Sequence, residues 1–81
     1  MKPSELVAKG WCQGTGSIRR EGVTIKRCVL HAIDEAYGAI RAREVTEKLR
    51  RHVGNYYIND WNDAPGRTQA EVVAALRAIG E

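Results

Sequence analysis

Lys26-Arg27-Cys28-Val29-Leu30-His31-Ala32-Ile33-Asp34-Glu35-Ala36-Tyr37-Gly38 is the stretch that decides the fold. Apolar residues at positions 25, 29, 32, 33 and 36 recur at helical spacing, and Leu30 and Tyr37 widen the stripe. Arg27, His31, Asp34 and Glu35 are left on a narrow polar face. A helix that is apolar on most sides belongs in the middle of a small bundle. The spacing therefore predicts a central helix over residues 26–37, ended by Gly38.

The segments on either side extend this pattern. Over residues 41–53, Ala42, Val45, Leu49 and Val53 share one face. Glu44–Lys48 and Glu47–Arg51 add i,i+4 pairs worth about 0.2–0.5 kcal/mol each. Gly54-Asn55 stops that helix. Thr68-Gln69-Ala70-Glu71 reads as a capping box. It opens a last helix with Val72, Val73, Leu76 and Ile79 inward and a stripe of small residues at Ala70, Ala74 and Ala78. Toward the start, Pro3, Ser4 and Glu5 suit the first turn of a helix over residues 3–9. Gly10 is expected to stop it in the left-handed conformation. Residues 13–24 read as a glycine-rich loop, or as a short hairpin pairing Ser17-Ile18-Arg19 with Val23-Thr24-Ile25 around Glu21-Gly22. Residues 55–67 are turn-rich, with Tyr57, Ile58 and Trp61 able to make a short helical turn onto the core. The expected fold is one all-α domain over residues 1–81: four helices, with a glycine-rich loop or short β-hairpin after the first.

Composition narrows the class of function. With 43% hydrophobic and 28% charged residues the chain is globular rather than disordered. Two Trp, three Tyr and no Phe leave few large side chains, so each Trp is expected to be mostly buried. The net charge of +3, from 13 basic and 10 acidic residues, is mild beside the basic stripes of many nucleic-acid modules. No apolar run approaches the ~20 residues that span a bilayer, which predicts no membrane partner. Ser4, Glu5 and Lys9 interrupt the apolar run that a signal peptide needs, so the expected location is cytoplasmic, with thiols reduced.

The candidate chemistry is sparse. Cys28 and His31 lie i,i+3, and Cys12 and His52 would complete a Cys2His2 set. Neither cysteine belongs to a Cys-x2–4-Cys pair, so Cys28 reads as a small core residue, and no metal or cofactor is expected. Cys12 with a histidine and Asp60 or Asp63 lacks the local signature of a thiol nucleophile. Gly14-Thr15-Gly16-Ser17 lacks the Gly-Lys-Ser/Thr ending of a phosphate loop. With no acid, base and nucleophile converging, the expected function is non-enzymatic binding of a protein partner.

Trp61, Asn62, Asp63 and Arg67 are the candidate partner-binding residues, since exposed Trp and Arg anchor interfaces. The competing role for Trp61 is to plug the open end of the bundle. The runner-up function is a nucleic-acid-binding accessory protein using Arg19, Arg20, Lys26, Arg27, Arg50 and Arg51 on phosphates. Acidic neighbours interrupt those positions, which favours the protein partner. A small metal- or thiol-dependent enzyme ranks third.

Three motifs then stand in order: Trp11-Cys12-Gln13-Gly14, Cys28-Val29-Leu30-His31-Ala32-Ile33, and Trp61-Asn62-Asp63 before Thr68. In this the chain resembles an uncharacterised family of small proteins encoded by bacteria and phages. The family pattern is Trp-Cys-x-Gly, a helical Cys followed by small and apolar residues, and Trp-Asn-Asp before a Thr-capped final helix. His31 stands where relatives carry glycine, which weakens a metal role for it. The resemblance implies a phage or mobile-element setting, where proteins of this size bind and block a host factor as inhibitors or adaptors.

Overall fold

The computed structural model describes residues 1–81. The elements run α1 (Pro3–Lys9), β1 (Ser17–Arg20), β2 (Val23–Arg27), α2 (Val29–Val53), α3 (Ile58–Asp63) and α4 (Gln69–Ala78). The fold is a small mixed α/β domain, which corrects the all-α expectation. β1 and β2 form a two-stranded antiparallel sheet. Glu21 and Gly22 both take positive φ, 52° and 80°, the geometry of the tight turn whose twist matches paired strands. β2 also claims Lys26 and Arg27, which the periodicity assigned to the central helix. Val23, Thr24 and Ile25 are β-branched and favour extended backbone, so the strand continues until Cys28.

Cys28 is the N-cap of α2, its sulfur accepting from the His31 N–H at 3.4 Å. The second and third expected helices run on as one element without an intervening loop. The break falls at Gly38, where φ is 76° and ψ is 174°. Only glycine adopts that backbone cheaply, so the chain changes direction there and resumes helix at once. α3 forms inside the turn-rich segment, seating Ile58 and Trp61 on the core. The Thr68–Glu71 capping box forms as read, with Glu71 N–H donating to Thr68 Oγ1 and Thr68 N–H donating to Glu71 Oε1.

The core joins Leu6 and Val7 of α1, Val29, Ile33, Val45 and Leu49 of α2, Ile58 and Trp61 of α3, and Val72 and Leu76 of α4. Trp61 is 8% exposed, as expected, whereas Trp11 is only half-buried at the edge of the cluster. α1 is pinned by backbone contacts at both ends. Ser4 donates twice to the Glu81 carbonyl, and Gln69 Nε2 donates to the Val7 carbonyl at 2.7 Å.

Gly10 departs from expectation in an informative way. Its φ is 178°, ordinary extended backbone rather than a left-handed stop. What it provides is room. The chain at residues 10–12 runs beside β2, with Arg27 N–H donating to Gly10 O and Cys12 N–H to Arg27 O. A Cβ on Gly10 would land on the Ile25 carbonyl oxygen. Because that obstacle is backbone, Gly10→Ala is expected to cost about 1–3 kcal/mol or more. A urea midpoint within error of the parent would show that this crossing is loose.

Candidate functional site

The first and third motifs meet, and Asn62 is where they join. Its side chain is fully buried. Asn62 Oδ1 accepts from Trp11 Nε1–H at 2.7 Å and from the Val29 backbone N–H at 3.0 Å. Asn62 Nδ2 donates to the Cys12 carbonyl at 3.1 Å and to Asp63 Oδ1 at 2.9 Å. Gln13 Nε2 donates to the Asn62 and Ala64 carbonyls, and Gly14 N–H donates to Asp63 Oδ1. One amide thus ties the first loop, the start of α2 and α3 together. An amide suits the position because it offers donors and acceptors at once.

All four candidate partner-binding residues therefore have internal work. Asn62 lies inside the fold. The Trp61 ring is buried under the Arg67 guanidinium, 4.5 Å from its centroid, and Arg67 Nε donates to the Trp61 carbonyl. Asp63 is exposed while it holds the Gly14 loop. Trp61 occupies the position of a plug rather than that of an exposed anchor.

Cys12 and Cys28 are both free and buried. Burial pushes the Cys12 thiol up, reinforced by Cys28 and Asp63 and opposed by Lys26 and Arg27, so it stays protonated at neutral pH. No group of three or more His, Cys, Asp or Glu side chains is gathered in a way that could hold a metal ion.

The six basic candidates do not act as one patch. Arg27 is buried, with Nη1 donating to the Leu6 carbonyl at 2.8 Å and Nε pairing with Glu35 at 3.1 Å. Arg50 and Arg51 both pair with Glu47. Arg19, Arg20 and Lys26 are exposed on the hairpin, with no carboxylate at ion-pair distance.

The largest concavity is an open groove of about 900 Å³ made by the bend in α2. Leu30, His31 and Asp34 line it from before Gly38, and Ala42, Arg43, Thr46, Glu47 and Arg50 from after it. Gly16, Cys28 and Asn59 also line it. Both signs of charge face in, so it is not an anion cradle. Next to the lining residue Arg50 are Tyr56 and Tyr57, 68% and 66% exposed, packed edge to face at 5.2 Å between centroids. Arg50 lies 4.6 Å over the Tyr56 ring and donates to its carbonyl. Sequence reading missed this pair, because a Tyr-Tyr in a turn-rich stretch reads equally well as core.

A polar cluster that sequence reading also missed fixes the bend. Glu81 is 3% exposed. Its carboxylate accepts from Tyr37 Oη–H at 2.6 Å, just before Gly38, and from Lys48 Nζ at 2.7 Å and Arg41 Nη2 at 3.4 Å beyond it. Burial raises this carboxyl's pKa, but the hydrogen bonds from Lys48 and Tyr37 and the charges of Lys48 and Arg41 outweigh it, holding it below the ordinary 4.5. The same bond to Glu81 holds the Tyr37 hydroxyl above its usual range. A lowered carboxyl contributes stability that is complete above the ordinary value and lost as pH falls through the lowered one. Glu81→Gln is expected to lose about 1.5–3 kcal/mol at neutral pH. Its deficit should shrink as pH falls below the ordinary value and close once pH passes the lowered one, where the folded parent's carboxylate is neutralised too. Urea midpoints across a pH series check this; a deficit independent of pH would assign the loss to packing.

A comparison with curated proteins and one with solved structures each find no match. A family model matches residues 4–81, from α1 through Glu81, and so takes in the Asn62 junction, the bent α2 and the carboxylate that braces it. By that match the chain belongs to the family of unknown function DUF6197.

Proposed function

We propose that this domain is a non-enzymatic binding protein whose partner is another protein, held at the groove of the bent α2. The observation that carries the reading is the exposed Tyr56–Tyr57 pair, with Arg50 stacked on it, beside a groove of mixed charge. Tyr and Arg are enriched among the residues that dominate interface energetics. A groove with both signs of charge suits a polypeptide better than a run of phosphates. The protonated, buried Cys12 thiol favours a binder over a thiol-dependent catalyst. The nucleic-acid reading ranks second because Arg27, Arg50 and Arg51 are already engaged with carboxylates. A phage or mobile-element setting, with a cytoplasmic host protein inhibited or recruited, belongs to the same proposal and rests on the motif resemblance.

The test pairs stability with capture. Tyr56→Ala/Tyr57→Ala is expected to keep stability within about 0.5 kcal/mol, as exposed substitutions do. It should lose the partner recovered by the parent protein from cells of its source, quantified by mass spectrometry. A stable double variant that retains the partner would overturn the groove as the site.

A further inference from the structure

We propose that the free edge of β1 takes up an extended acidic peptide segment as a third strand. This surface is separate from the α2 groove and does not rest on it. The sheet has two strands. The far side of β2 is covered at Arg27 by residues 10–12. The far side of β1 has no such partner: outside the ladder with β2, no backbone hydrogen bond involves Ser17–Arg20. A row of unpaired N–H and C=O groups is a template for another strand, and addition of a peptide to such an edge is a recurring mode of recognition.

Charge selects the occupant. Arg19, Arg20 and Lys26 are exposed and have no carboxylate partner, and Arg19 donates only to the Gly22 carbonyl at 2.7 Å. Elsewhere Arg41, Lys48, Arg50, Arg51 and Arg67 are each paired with a glutamate. A second copy is disfavoured at this edge, since it would crowd four arginines into one short strand pair with no carboxylate among them, and like charges across a strand pair destabilise it. An acidic strand gains from the same arrangement. The ladder pairs Ile18 with Lys26 and Arg20 with Val23, so these four residues share the outward face. Ile18 and Val23 are 40% and 62% exposed there. The fitting segment therefore sets an apolar residue beside Ile18 and carboxylates beside Arg19 and Arg20, which in antiparallel order reads Glu-Glu-Val.

The probe is a capped peptide carrying Glu-Glu-Val in an extended Thr-rich frame, followed by hydrogen exchange of the protein's amides. Added peptide is expected to slow exchange within Ser17–Arg20. Arg19→Glu/Arg20→Glu should weaken binding at least about tenfold, the scale of one or two lost cross-strand charge pairs. The same peptide N-methylated at alternate residues leaves the protein untouched and should not bind, because the strand hydrogen bonds are gone. Equal binding of the N-methylated peptide would reduce the edge to an anion-attracting surface and overturn the proposal. So would protection confined to the α2 groove, or protection of β1 by a DNA duplex and not by the peptide.

Discussion

Replacing Asn62 with alanine is expected to cost about 3–5 kcal/mol, a large share of the stability of the protein. A domain of this length has only about 4–12 kcal/mol in all, at about 0.05–0.15 kcal/mol per residue. The loss is large because the truncation strands several polar groups around a fully buried side chain. Trp11 Nε1–H, the Val29 N–H and the Cys12 carbonyl each lose their Asn62 partner. A buried polar group left unsatisfied costs about 1–3 kcal/mol. Asn62→Asp sharpens the test. The carboxylate keeps the acceptor for Trp11 and Val29 but loses the donor to Cys12 and adds charge beside Asp63. Burial raises its pKa, so its deficit relative to the parent should grow as pH rises through that raised value and shrink in acid. Thermal or urea unfolding of both variants over a pH series decides it. An Asn62→Ala protein as stable as its parent would mean that the junction is filled by water and carries little energy.

Trp61→Ala is expected to cost about 3–5 kcal/mol, the range for removing a large aromatic from a core. The ring is 8% exposed, packs in the main cluster and lies under Arg67. Its removal opens a cavity between α2, α3 and α4 and frees the guanidinium that covers it. Trp61→Phe keeps most of the apolar volume and should lose less. A Trp61→Ala protein that melts with the parent yet fails to bind a partner would return this loop to the role of interface anchor.

Much of the architecture was legible because it is written locally. Helical spacing marks the faces of α2 and α4, the Thr68–Glu71 pair marks a helix start, and Glu21-Gly22 marks a turn. Each of these depends on residues within about four positions of one another, where side-chain chemistry and backbone preference act directly. Local signals gave conflicting readings at Lys26 and Arg27, where helical periodicity and a β-branched run overlap. The pairing of β2 with β1 decided for the strand.

The candidate site was less legible because its residues are defined by partners far along the chain. Asn62 reads as a turn residue until Trp11 and Val29 are seen to donate to it. Gly10 reads as a helix stop until the Ile25 carbonyl is found against it. Glu81 looks like a surface residue, yet it is buried against Tyr37 and Lys48 and braces the bend that shapes the groove. Tyr56 and Tyr57 have the composition of core residues and end up exposed. The sequence by itself determined the apolar faces of the helices, the turn and the cap. The tertiary structure alone decided which polar groups are buried together and which aromatic rings are left outside, because burial and hydrogen-bond satisfaction belong to pairs of residues brought together by packing, and no single stretch of chain contains both members.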